Sequence, residues 1–190
     1  MEKVLKGEIF RKTIHILAYL YAVVLYSCRD DLIVFLGLPA IIVFLDALRL
    51  FFKPFNRVVI LLWGYSIKPY ERRNLSDATV MAIGVWLCVL IFGKYSLVGL
   101  AISIVGDAFA SLVGKFFGRI RFKNGKSLEG FLAFNLWALI IALFSGELFP
   151  YVLITGIITS LFEFLSPPLE NLTLGIVSSF TFFAILRLPF

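Results

Sequence analysis

Charge is scarce in this chain. Only 16% of its 190 residues are Asp, Glu, Lys or Arg, where soluble domains carry roughly 25%. Cysteine is scarcer still, at two, and histidine occurs once. Cys28 and Cys88 lie in or beside apolar runs and form no ligand spacing, which excludes a disulfide scaffold and makes them core or lipid-facing thiols. Repeats, low-complexity segments and a soluble domain are all missing, and the longest polar stretch, Lys68 to Asp77, is a short loop. After the first apolar run stands Tyr26-Ser27-Cys28-Arg29 rather than a small-x-small cleavage site, so that run is expected to remain as a span.

What the chain has instead is apolar surface. It is 61% hydrophobic with a mean hydropathy of +0.97, more than a soluble domain of this size can hide. The composition therefore predicts an all-α polytopic membrane protein forming one transmembrane domain over 1–190. A span needs ~20 apolar residues, and such runs fall at about 10–27, 31–52, 76–93, 95–117, 128–146, 149–166 and 172–189, about seven in all. The apolar stretch near 55–66, bracketed by Pro54 and Pro69, is too short to cross and is expected to be an interfacial or re-entrant helix.

The net charge of +6 fits loops beside an anionic leaflet better than a nucleic-acid partner. All basic residues except Arg29, Lys94 and Arg187 fall on one side of the seven runs. The positive-inside rule then puts the N-terminus in the cytoplasm and the C-terminus outside.

Ionisable groups at membrane depth cost several kcal/mol unless paired or facing a cavity, which makes each a candidate for function. In the fourth run Gly106, Ala110, Gly114 and Gly118 recur every four residues as a small-residue ridge, suited to a homodimer contact or an internal one. Asp107, Ser111 and Lys115 form a second stripe beside it. That arrangement is either a packing seam with a carboxylate paired to Lys115, or a cleft lined by an acid, a hydroxyl and a cation. The next loop adds Arg119, Arg121, Lys123 and Lys126, with Gly118 and Gly125 as turns, a set suited to a polyphosphate or to anionic lipid. Ser127 is placed to cap the fifth helix, and Gly130 stands where a capping-box acid would be.

Elsewhere, Arg11, Lys12 and His15 open the first span. Asp46 and Arg49 are spaced to pair on one helix face. Glu163 needs a cation or a metal, and Glu170-Asn171 opens the last span. With Glu129, all of these fall at cytoplasmic span ends or loops, and a cytosolic, charged, phosphorylated ligand explains the clustering most simply.

These motifs resemble the polyprenol kinase family: dolichol kinase, phytol kinase and the CTP-dependent diacylglycerol kinase, within the membrane CTP transferases. The resemblance rests on Arg11-Lys12-x-x-His15, Asp46-x-x-Arg49, Gly106-Asp107-x-x-Ala110-Ser111-x-x-Gly114-x-x-x-Gly118 with Lys126-Ser127-Leu128-Glu129-Gly130, and Glu163 followed by Glu170-Asn171-Leu172-Thr173. Glu170 stands where the family usually has Asp, and Asp77-Ala78-Thr79 where Gly-Ala-Thr is commoner. The resemblance implies transfer of the γ-phosphoryl group of CTP to a lipid alcohol (phytol, geranylgeraniol, a dolichol or diacylglycerol) with Mg²⁺. It further implies Asp107 as base or magnesium ligand. Lys115, Arg119 and Lys126 would hold the triphosphate, with Ser127 and Gly130 in the same motif. Glu129, Glu163 and Glu170 are candidates for metal or ribose contacts, and Asn171 for the base or ribose. Arg11, Lys12, His15 and Arg49 complete a polar floor, with Asp46 orienting Arg49. Two alternatives remain at this point, a CTP-dependent cytidylyltransferase acting on a lipid phosphate and a small lipid or ion transporter.

Overall fold

The computed structural model describes residues 2–63, 67, 69–165 and 171–187. Its regular structure is helical: α1 (Glu2–Ser27), α2 (Leu32–Phe51), α3 (Lys53–Trp63), α4 (Asp77–Phe92), α5 (Lys94–Leu100), α6 (Gly106–Phe116), α7 (Leu128–Phe144), α8 (Phe149–Leu165) and α9 (Asn171–Ile185). A five-residue π-helical turn, Ala101–Val105, joins α5 to α6 without a break. Among the described residues the strand-like pairing is one isolated antiparallel bridge between Arg121 and Ser127.

Among the described residues four stretches are long and apolar enough to cross a membrane: Ile9–Ser27, Leu32–Phe51, Lys94–Phe116 and Gly146–Leu165. Together they make this a multi-pass membrane protein. The other three expected spans appear as shorter apolar helices, Asp77–Phe92, Leu128–Phe144 and Thr173–Ile185. The helix expected near 55–66 is α3, which breaks from α2 at Phe52 and starts at Lys53; residues 64–66 lie outside the described set.

Local chemistry sets several boundaries. Asp31 accepts the amides of Ile33 and Val34 and so starts α2, while Ser76 caps α4 through the Thr79 amide. Ser127 caps α7 as expected, its hydroxyl 3.1 Å from the Gly130 nitrogen. The π-turn widens the backbone spiral, leaving carbonyls off the usual ladder. Trp137 of α7 donates its indole N–H to the Ala101 carbonyl at 3.0 Å, tying the turn to a neighbouring helix.

The core lies in two clusters. One joins α1, α2, α4 and α5 through Leu25, Phe35, Val85, Cys88 and Leu100. The other joins α6, α7, α8 and α9 through Ala110, Phe134, Ala138, Val152 and Phe182. Cys88 is fully buried, as read from the sequence. Small residues let backbones close in: a side chain at Gly99 would strike the Ser179 backbone of α9, the small-for-close-approach arrangement of membrane helices.

Candidate functional site

The start of α4 meets the end of α2, and the start of α7 with the loop before it meets the ends of α6 and α8. Polar side chains collect at this end. Lys12 of α1 reaches Asp107 of α6, Nζ to Oδ2 at 2.5 Å. His15, one turn further along α1, places Nδ1 3.6 Å from the same oxygen. Both approach Oδ2. Lys12 and His15 are 4% and 3% exposed, so this is a buried charge cluster rather than a surface pair. The partner expected for Asp107 is Lys115; the structure instead brings Lys12 to it, and Lys115 is exposed at the end of α6.

Lys126 and Glu163 form the second pair, at 2.6 Å and half-buried. Glu163 lies within electrostatic reach of both Asp107 and Lys12, so the two pairs belong to one region. The loop that carries Lys126 is an ordered hairpin. Phe122 donates its amide to the Lys126 carbonyl at 2.8 Å, and Leu128 donates to Ile120 at 3.0 Å. Gly125 makes the turn at φ +82°, where a residue with a β-carbon is disfavoured. Asn124 then donates to the Phe164 carbonyl at 2.7 Å, and Phe122 packs edge-on against Phe164 with ring centroids 4.8 Å apart. These contacts hold the hairpin against the end of α8, which brings Lys126 to Glu163.

The small-residue ridge is an internal seam. A β-carbon at Gly106 would meet Phe134 at 3.0 Å, one at Gly114 the Ser127 hydroxyl at 2.7 Å, and one at Gly130 the Ala110 carbonyl at 2.7 Å. Gly118 is likewise packed on Gly114 and Ser127. The ridge of α6 thus faces α7. Glu129 Oε1 accepts the Arg119 and Ile120 amides at 2.8 and 3.2 Å, tying the start of α7 to the hairpin. Its Oε2 is buried with no hydrogen-bond partner among the described residues. Ser111 is half-buried on α6 and Arg119 exposed on the hairpin.

Asp46 and Arg49 pair as the spacing predicted, Oδ1 to Nε at 2.7 Å. Arg49 also donates to the carbonyls of Glu71 and Asn74 at 2.9 and 2.8 Å, and Asp46 Oδ2 accepts the Ser76 amide at 2.7 Å. The pair clamps the polar connection ahead of α4. Glu71 is a functional candidate that the sequence pattern does not single out. It is 5% exposed and accepts the Asp77 amide at 2.7 Å; the single 3-10 turn Pro69–Arg72 that carries it is too short to give a periodic signal. The π-turn before Asp107 is equally silent in the sequence, because hydropathy does not distinguish it from an α-helix. Glu170 lies outside the described residues, as does the side chain of Asn171.

Acidic groups for a divalent ion are present. Among the described residues no three His, Cys, Asp or Glu side chains converge as a metal cage. Mg²⁺ rarely uses one; it takes one or two carboxylates, waters and substrate phosphates. Asp107 and Glu163 each carry a lysine partner and Glu129 Oε2 has no hydrogen bond among the described residues, so one or two of these carboxylates are the donors the chain offers such an ion.

Comparison with known proteins finds similarity to a dolichol kinase. It is 31% identical over 142 residues to dolichol kinase sec59 of Schizosaccharomyces pombe, an alignment covering 66% of this chain and 28% of that protein. The chain thus spans about a quarter of the length of the curated relative it matches. No family model matches, and no solved structure does.

Proposed function

We propose that this chain is a polyprenol-kinase-type membrane domain that transfers the γ-phosphoryl group of CTP to the hydroxyl of a lipid alcohol. The observation that carries the reading is the buried Lys12–Asp107–His15 cluster, within electrostatic reach of Glu163 and beside a cationic hairpin. The similarity to dolichol kinase sec59 supports it. In the proposed reaction the alcohol oxygen attacks the γ-phosphorus and the bond between that phosphorus and the β,γ-bridging oxygen breaks. CDP leaves, and the hydroxyl proton passes to a base for which Asp107 and His15 are the candidates.

Phosphoryl transfer depends mainly on positioning and on neutralising the charge of the transferred group. Lys126, Lys115 and Arg119 would receive the triphosphate, and Asp107 with Glu163 or Glu129 would hold Mg²⁺. The ion, when bound, supplies bridging and charge neutralisation at the phosphate oxygens. Lys12 keeps the Asp107 carboxylate in place, and the hairpin contacts to α8 fix Lys126. The three shorter apolar helices complete seven crossings in this reading, with the charged end toward the cytoplasm, where the basic loops collect.

The test is purified protein with Mg²⁺ and each of CTP, ATP, GTP and UTP, against geranylgeraniol, phytol, a dolichol and diacylglycerol. A lipid monophosphate together with CDP is the expected product pair. Pyrophosphate release would assign a cytidylyltransferase instead, and lipid movement without nucleotide turnover a transporter.

A further inference from the structure

A cavity of about 380 Å³ adjoins His15, between α1, α2, α3 and the start of α4. Its apolar wall is Phe10, Ile14, Val59 and Ile67. Its polar wall includes Asp46, Glu71 and Asp77 against Arg11 and Arg49, and Arg49 is already engaged by Asp46 and two carbonyls. Among the described lining residues three carboxylates stand beside two guanidiniums and His15, a charge-balanced polar wall opposite an apolar one, which suits an uncharged polar headgroup with an apolar stem. The roof is α3, whose Val58 and Leu61 stand 50% and 84% exposed, as an amphipathic helix lying in the membrane interface would require.

His15 lines this cavity and also sits 3.6 Å from Asp107 Oδ2. Among the described lining residues none comes from the basic hairpin. We infer that the cavity is the acceptor site: it takes the hydroxyl end of a single-hydroxyl lipid under α3 and delivers it to Asp107 past His15, while the rest of the tail stays in the bilayer. This rests on the kinase reading for what happens to the hydroxyl, but the site itself is testable without turnover.

The probe is geranylgeraniol carrying a diazirine near its hydroxyl, photolysed on the purified full chain in lipid–detergent micelles and mapped by peptide mass spectrometry. Label on the α1 and α3 segments, competed by unlabelled geranylgeraniol and not by CTP, is the expected result. Competition by diacylglycerol in a parallel arm reports whether the site reads the hydroxyl or the prenyl stem. Val59→Trp, and separately Ile14→Phe as a milder filling, should cut labelling and raise the KM for the alcohol about tenfold with the KM for CTP unchanged. Label confined to the hairpin, or label that no alcohol competes away, overturns the cavity assignment. Phosphate transfer without cavity labelling removes the cavity and keeps the kinase; cavity labelling with no transfer from any nucleotide keeps the cavity and removes the kinase.

Discussion

Lys12 and Asp107 are 95 residues apart in the chain and meet at 2.5 Å inside the bundle. Burying two charges costs free energy that their attraction and further contacts must offset, and removing one partner strands the other at about 3 kcal/mol or more. Asp107→Asn and Lys12→Met should therefore each lower stability by roughly 3 kcal/mol, and the double variant by clearly less than the sum. None of the three should release CDP in response to a prenol. Thermal unfolding in detergent, run as a double-mutant cycle beside the CDP assay, checks both halves. Strictly additive losses would mean the two charges do not interact.

The Lys126–Glu163 pair yields a kinetic expectation. Lys126→Ala removes a cation and leaves the Glu163 carboxylate facing incoming phosphates, so the KM for CTP should rise at least about tenfold. Adding Glu163→Gln removes the repulsion and should recover part of that loss if Glu163 is not itself a metal ligand. Recovery in the double variant, or a deeper loss of kcat, therefore separates a tuning role from a ligand role. Steady-state kinetics at varied Mg²⁺ reads the difference.

Glycines give an internal contrast. Gly130→Ala drives a methyl against the Ala110 carbonyl and should destabilise by about 1–3 kcal/mol. A methyl at Gly37 of α2 would meet nothing within 4 Å, so Gly37→Ala should be neutral or stabilise by up to ~1 kcal/mol through helix propensity. Melting temperatures of the two variants should move in opposite directions or differ by several degrees; equal shifts would mean α6 and α7 do not approach this closely.

Trp137 anchors the π-turn through the Ala101 carbonyl and stacks on Phe109, ring centroids 5.2 Å apart. Trp137→Phe keeps an aromatic ring and deletes the donor, at a cost of about 0.5–1.5 kcal/mol for the lost hydrogen bond. Because the π-turn immediately precedes Gly106-Asp107, kcat should fall more than the KM for either substrate rises. A pure stability loss with kcat intact would confine Trp137 to packing.

Much of this end of the molecule was legible in the chain. Asp46 and Arg49 pair at their helical spacing, Ser127 caps α7, and Asp107 lies with His15 and Lys12 because all three are polar groups that lipid would otherwise reject. The partner of Asp107 was not legible: Lys115 shares its stripe, but Lys12 reaches it through the packing of α1 on α6, which no local spacing records. The glycine ridge showed as a close-approach surface, while its assignment to α7 depended on the whole bundle. Glu71 was hidden because a single 3-10 turn carries no periodicity, and the span count because α4, α7 and α9 end before a full crossing length.

The π-turn at Ala101–Val105 has a consequence for the phase of the helix that carries Asp107. An α-helix advances about 100° per residue, so one extra residue in a turn puts the two halves of a rod out of phase by roughly that angle. The half before the turn keeps its face on α9, and the half after it presents Asp107 to α1. Deleting one residue from this turn would therefore rotate Asp107 away from α1 while α5 kept its seat on α9.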